Sequence, residues 1–211
     1  MANPAEVEQG SEEWHALRAQ RITGSQFCDV LGSANARASY AKQIVAAIIS
    51  GKPKIQAKAK SLEWGHANEP LAREAYEIET GEFVEESGFI IHPRFDFVGV
   101  SVDGLVGQLG TIEIKSPYDQ AVHIETLLSG MPDEHKAQVQ GGLWVTGRKW
   151  CDFISFDPRQ AEPYQLYIER IHRDDVYIAR LESHCLQFWA EVQGIVKKIE
   201  ASTAARHLKA A

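Results

Sequence analysis

Cysteine is scarce in this chain. Cys28, Cys151 and Cys185 are odd in number and far apart, with no C-x-x-C step among them. That pattern argues against a disulfide framework or a cysteine-based zinc site, and for a reducing compartment. Long hydrophobic runs are also missing. None approaches the roughly 18 residues of a membrane span, so no membrane association is expected. The opening residues, Met1 to Trp14, are acidic and lack the apolar segment of a secretory signal. No internal repeat and no low-complexity stretch is present.

Positive charge is in deficit. Lys and Arg number 22 against 29 Asp and Glu, a formal charge of −7. A protein that coats nucleic acid without specificity needs a broad basic footprint, so the balance argues against that class. It leaves room for an enzyme of nucleic acids. Carboxylates at a metal site count as negative until the metal binds, and a local basic channel can coexist with an acidic exterior.

What is present fits one α/β domain. A chain of 211 residues with 44% hydrophobic and 24% charged residues can bury one core but not two comfortable ones. Ser11, followed by Glu12 and Glu13, caps a helix that ends near Arg21. Gln26 to Leu31 starts another, Gly32 to Arg37 reads as a loop, and Tyr40 to Ile49 as an apolar core helix. Gly51 to Lys60 holds four lysines and is the densest basic stretch. Ser61 to Thr80 is a strong helix closed by Gly81. Phe83 to Ile91 and Phe95 to Val102 read as strands, Tyr118 to Leu128 and Glu134 to Val145 as helices. Gly141 and Gly142 inside the latter each cost about 1 kcal/mol relative to Ala, so close approach of another element or a ligand is expected there. Strands at Lys149 to Phe156 and Tyr164 to Arg170 precede a long helix from Asp174 to Ile199. Residues 1–10 and 201–211 read as tails. The order implies a mixed central β-sheet flanked by helices on both faces.

The chemistry concentrates at Val98 to Pro117. Here Phe95–Val102 and Thr111–Lys115 are expected to pair as a hairpin, which folds Asp103 back towards Glu113. Glu113 and Lys115 share a strand face within roughly 7 Å. Two carboxylates and an ammonium then converge, a grouping that suits Mg²⁺ and in-line phosphoryl displacement. The same residues also fit an ordinary surface hairpin with a cross-strand ion pair. On the helix before, Glu69, Arg73 and Glu77 follow Gly65 at i, i+4 spacing. They are either surface pairs or, for Glu69, a third carboxylate at the same site. Near the N-terminus, the Gly24-Ser25 step opens a helix and lies close to Arg18 and Arg21. Taken alone Ser25 reads more readily as a plain helix cap, but free N–H groups, a hydroxyl and the guanidinium forks of Arg18 and Arg21 make an anion pocket there plausible.

These blocks occur in one order: Trp14-His-Ala-Leu-Arg18 with Ile22-Thr-Gly-Ser25, Trp64-Gly with Glu69 and Ala72-Arg73, Val102-Asp103-Gly, and Glu113-Ile-Lys115. Ala137-Gln-Val-Gln140, Leu143-Trp-Val-Thr146, Phe156-Asp-Pro-Arg159 and Ile168-Glu-Arg170 complete the series. From about residue 10 to 195 the chain resembles the phage lambda exonuclease family, the viral-recombinase alkaline exonucleases of the restriction-endonuclease-like superfold. The resemblance implies a single nuclease domain over 1–211 that digests one strand of linear double-stranded DNA processively, 5′ to 3′. Its products would be 5′-mononucleotides and a 3′ single strand handed to a single-strand annealing protein. It further implies two Mg²⁺ ions (Mn²⁺ as alternative), a homotrimer ring and the cytoplasm of a bacterial host cell. By the same resemblance Asp103, Glu113 and the backbone carbonyl of Ile114 hold metal, and Glu69 assists through the second metal or its water. Lys115 positions the attacking water, Gln138 contacts the scissile region, and Arg18 and Ser25 clasp the 5′-phosphate. His135 and Arg21 are further candidates for DNA contact. Two other readings remain: a structure- or sequence-specific DNA endonuclease on this core, and a non-catalytic DNA-binding subunit.

Overall fold

The computed structural model describes residues 7, 9–52 and 60–210. Most of the lysine-rich stretch between Gly51 and Lys60 lies outside the described residues. The expected N-terminal cap forms: the Ser11 hydroxyl accepts from the Trp14 N–H at 3.1 Å, and α1 runs Glu12–Ala19. After β1 (Ile22–Thr23) and a 3₁₀ turn (Gly24–Gln26) come α2 (Phe27–Leu31) and α3 (Ala34–Ser50). The loop expected over Gly32 to Arg37 is therefore shorter, because Ser33 caps α3 by accepting from the Ala36 N–H. Next is α4 (Lys60–Thr80), with Pro70 inside it. Proline removes the helical bond to the His66 carbonyl at the level of Glu69.

The expected strand at Phe83 to Ile91 divides in two: β2 (Val84–Glu85) and β3 (Ile90–Ile91) join different sheets. The hairpin is also rearranged. β4 (Val98–Val100) pairs with β1 and β3, and the partner of β6 (Gly110–Lys115) is β5 (Gly104–Val106). Gly107 has φ +48°, a left-handed conformation that glycine tolerates, so the tight turn of the hairpin falls between β5 and β6. The antiparallel register Gly104↔Ile112 still sets Asp103 opposite Glu113.

Beyond β6 come α5 (Gln120–Ser129), α6 (Asp133–Thr146), β7 (Trp150–Phe156), β8 (Leu166–His172) and α7 (Asp175–Ala210). Five strands form a mixed sheet in the order β2-β5-β6-β7-β8, with β6 and β7 parallel and the other neighbours antiparallel. β1-β4-β3 makes a second, smaller sheet where one continuous sheet was expected. Helices cover both faces of the larger sheet. Ala72 and Tyr76 of α4 pack on Ile112, Ile114, Ile154 and Phe156. Val139 and Leu143 of α6, with Leu181 and Phe188 of α7, share the opposite core with Cys151 and Phe153. Strand alternation assigns odd and even residues of β7 to these two cores. Gly141 is needed for contact: a Cβ there would fall 2.1 Å from the Phe27 ring. α7 runs on to Ala210, so the segment read as a tail from Ala201 is helical; alanine-rich sequence favours this even though Lys197 to His207 are exposed.

Candidate active site

The parallel β6–β7 pair gives the site its rigid floor. Gly110 to Ile114 are all buried in β6, and Lys115 at its end is half-buried. A cavity of about 290 Å³ opens there, lined by Glu69, Asp103, Glu113, Ile114, Lys115 and Gln138, together with Gly65, His66 and Ser116. The chain thus brings together Glu69 from α4, Asp103 from just before β5, three residues of β6 and Gln138 from α6. Ser116 and His66 were missed in the sequence, where nothing set them apart. The Ser116 hydroxyl is buried without a hydrogen-bond partner among the described residues.

The polar geometry is specific. Lys115 Nζ donates to Glu113 Oε1 at 2.6 Å and to Gln138 Oε1 at 3.3 Å. The Ile114 N–H donates to Asp103 Oδ2 at 2.7 Å. Arg73 donates to Glu69 Oε1 at 3.0 Å and to the Asp103 carbonyl at 3.3 Å. Burial pushes Glu69 up to about 7, with Asp103 adding to it. Burial likewise pushes Glu113 up to about 7, against the opposing pull of Lys115. Asp103 is raised as well, chiefly by burial. Burial alone would lower Lys115, but Glu113 and Asp103 outweigh it and leave its pKa raised. The lysine therefore stays an ammonium at neutral pH.

These residues fit a divalent cation. Three carboxylates line one small cavity, and burial disfavours their charged forms, which a cation would favour. Among the described residues, no three acidic, histidine or cysteine side chains are already grouped as a cage. The reason is visible: one oxygen of each carboxylate is drawn to Lys115, Arg73 or the Ile114 N–H. Mg²⁺ does not require a full protein cage, since it is held by one or two carboxylates plus water and phosphate oxygens.

A second cavity, about 220 Å³, is lined by His15, Arg18, Arg21, Thr23, Ser25, Gln26 and Tyr40, among others. Arg18 is stacked 4.0 Å from the Trp14 ring centre and donates to Ser25 Oγ at 3.3 Å and Ser101 Oγ at 3.4 Å. The Trp14 indole N–H donates to Ser101 Oγ at 2.8 Å. No carboxylate pairs with Arg18 among the described residues, and burial pulls its pKa down to about 10. It remains a cation at neutral pH, half-buried and without an anion among the described residues. Sequence reasoning found Arg18 and Ser25 but not Ser101, which lies in an unremarked strand exit.

Two further candidates, Arg21 and His135, have their own contacts within the fold. Arg21 lines the same cavity, but its guanidinium donates to the carbonyls of Asp96 at 2.7 Å and Leu17 at 2.5 Å, which ties α1 to the β3–β4 loop. His135 is stacked on Phe153 with ring centres 5.4 Å apart and is not among the residues lining the cavity. Burial, aided by Lys115, lowers its pKa to about 4, so the ring is neutral. Gln138 and Gln140 also part company: Gln140 is buried, donating to the His172 carbonyl at 2.9 Å and accepting from the Asp174 N–H at 2.9 Å.

Comparisons with known proteins bear on the family and the fold. The family described as YqaJ-like viral recombinase domain matches residues 13–149. The chain belongs to that family. An alkaline exonuclease, LHK-Exo from Laribacter hongkongensis, is similar in structure with a TM-score of 0.87 and 39% identity, covering 92% of this chain and 99% of its own. LHK-Exo in complex with dAMP superposes with a TM-score of 0.88 at the same identity and coverage. A phage related exonuclease from Haemophilus somnus 129PT shares the fold at 14% identity and a TM-score of 0.67, covering 88% of this chain and 99% of that one. No curated protein matches the chain. The family membership and the exonuclease-like fold bear out the resemblance and the fold class expected from sequence. Among the described residues, no helix is long and apolar enough to cross a membrane.

Proposed function

We propose that this recombinase-family chain is a divalent-metal-dependent exonuclease that degrades one strand of linear double-stranded DNA from its 5′ end. The observation that carries the reading is the short tether between the two cavities. Ser101, which holds Arg18, is two residues before Asp103. Two residues of extended chain span at most about 7 Å, the reach of a single nucleotide. A terminal phosphate seated at Arg18 and Ser25 would then present the next phosphodiester to the carboxylates, so one nucleotide leaves per cut. An internal cutter has no need of such a seat.

Asp103 and Glu113, with Ile114 contributing its carbonyl, would hold the ions, and Glu69 would assist directly or through water. Bound Mg²⁺, or Mn²⁺, supplies charge stabilisation at the scissile phosphate and lowers the pKa of bound water. Lys115, charged and held by Glu113 and Gln138, orients the attacking water and offsets charge on the phosphate oxygens. Gln138 reaches the same region from α6. Products would be 5′-mononucleotides and a 3′ single strand for an annealing protein. A homotrimer ring, in the cytoplasm of a bacterial host, accounts for processive action by topology and needs basic residues only along its lining, consistent with the −7 charge.

Digestion of linear duplex with Mg²⁺ tests the reading, with 5′-phosphate and 5′-hydroxyl ends compared and a closed circle included. Mononucleotide release from one strand, favoured by the 5′-phosphate and absent on the circle, is the expected result. Cutting of the circle would move the protein to the endonucleases. Absence of cleavage with any divalent ion would leave a binding role.

A further inference from the structure

Arg73 touches two of the three segments that carry the carboxylates, yet it is not one of the residues the cavity lining includes. One of its terminal nitrogens donates to Glu69 Oε1 at 3.0 Å and to the Asp103 carbonyl at 3.3 Å. The other pairs with Glu86, on the link between β2 and β3. Its side chain is 15% exposed, whereas that of Glu86 is 76% exposed. Its Nε is buried without a hydrogen-bond partner among the described residues.

An ordinary i, i+4 pair on a helix surface would be worth a few tenths of a kcal/mol and would carry no further meaning. Three features separate Arg73 from that case. Its side chain is mostly buried, it bonds a backbone carbonyl in a different element, and the carbonyl belongs to Asp103. We infer that Arg73 is a positioning residue: it sets Glu69 on α4 and Asp103 at the head of the β5–β6 hairpin in the relative placement that a divalent ion requires. The inference rests on the metal-dependent reading above. Arg73 occupies Oε1 of Glu69, so Oε2 is the oxygen that would meet a cation. Its bond to the Asp103 carbonyl fixes the backbone whose side chain is already held by the Ile114 N–H. A planar fork is needed to span three oxygens from three segments; a lysine ammonium on a flexible stem cannot hold all of them. Partners of this kind, which orient the groups that bind a metal, affect metal affinity or activity by about 10–100-fold when removed.

The test uses the full chain, stripped of divalent ions, as wild type and as Arg73→Gln, Arg73→Lys and Glu86→Gln. Mn²⁺ binding is measured by calorimetry, melting temperature by scanning calorimetry, and DNA digestion across a Mg²⁺ series. Arg73→Gln is expected to weaken Mn²⁺ binding by about 10–100-fold. The Mg²⁺ concentration for half-maximal digestion should rise in parallel, with activity recovering at high Mg²⁺. Arg73→Lys should fall between, and Glu86→Gln, which leaves Arg73 its other two partners, should shift binding less than Arg73→Gln. Unchanged or tighter Mn²⁺ binding in Arg73→Gln, with only the melting temperature lowered, overturns the inference: Arg73 would then be a structural tie or a competing charge. If Arg73→Gln does not fold, Arg73→Lys carries the test by the same criterion. Wild type that binds no Mn²⁺ and digests DNA without divalent ions overturns the metal-dependent reading itself, an outcome visible before any variant is compared.

Discussion

Lys115 keeps its proton because Glu113 and Asp103 outweigh the cost of burying it. A charged lysine cannot serve as a base in that state, so its work is orientation and charge. Lys115→Ala is expected to lower the digestion rate by about 10²–10³-fold, as for loss of one preorganised donor. DNA binding, measured by fluorescence anisotropy with Ca²⁺ in place of Mg²⁺, should be retained, and retention of full activity would sink the assignment. Arg18 faces the opposite situation, a half-buried cation with hydroxyl and ring partners but no carboxylate among the described residues. A hydrogen bond to a charged group is worth about 1.5–3 kcal/mol. Arg18→Ala should therefore cost about 10–100-fold on 5′-phosphorylated ends, and equal loss on phosphate and hydroxyl ends would contradict the pocket. Residue types suggested both clusters, and the order of the flanking motif blocks, more than the types alone, made them specific. Ser101, Ser116 and Arg73 were not legible as site residues. A serine or an i, i+4 arginine acquires a role only when another segment is brought against it.

The elements explain how the cluster is held. α6 approaches α2 closely enough that Gly141 meets Phe27 with no room for a side chain. Gly141→Ala should destabilise the fold by about 1–3 kcal/mol, the usual cost of overpacking, read as a lower denaturant midpoint. A gain in stability, the ordinary result of removing a helical glycine, would show that α6 can move away. The exit of β7 is fixed by Asp157, which is buried and accepts from Arg159 Nε at 2.7 Å and Gln160 Nε2 at 3.1 Å. Arg159 in turn donates to the carbonyls of Pro117 and Tyr118, directly after Lys115-Ser116, and stacks on Trp64 at 4.4 Å. Burial raises the Asp157 pKa, but the hydrogen bonds from Arg159 and Gln160 outweigh it and hold it below the usual range. A carboxyl depressed on folding contributes stability above its unfolded value, about 3.9, and loses it as pH falls through the folded value. Asp157→Asn should thus melt below wild type at pH 7, with the gap narrowing as pH drops past about 4. A gap independent of pH would contradict the charge-based account. Helix spans were legible from caps and periodicity. Short strands were not: β2 and β3 have two residues each, too few for any alternation to show.

At the scale of the whole molecule, the acidic balance and the proposed ring are linked. Sedimentation should give three times the monomer mass, and digestion should continue after an excess of unlabelled duplex is added. A monomer that stops at once when challenged would remove the topological account of processivity. The sequence by itself determined the class of fold, and it singled out Asp103, Glu113 and Lys115, and Arg18 with Ser25, as candidate site residues. Periodicity, residue chemistry and motif order are local properties of the chain. Only tertiary structure decided that Asp103 lies just before β5, that two sheets replace one, and that Ser101, two residues from Asp103, accepts from Arg18. It also decided that Arg21 donates to the Asp96 and Leu17 carbonyls and that His135 stacks on Phe153. Strand pairing and burial are set by partners distant in sequence, and which face a side chain takes follows from that pairing.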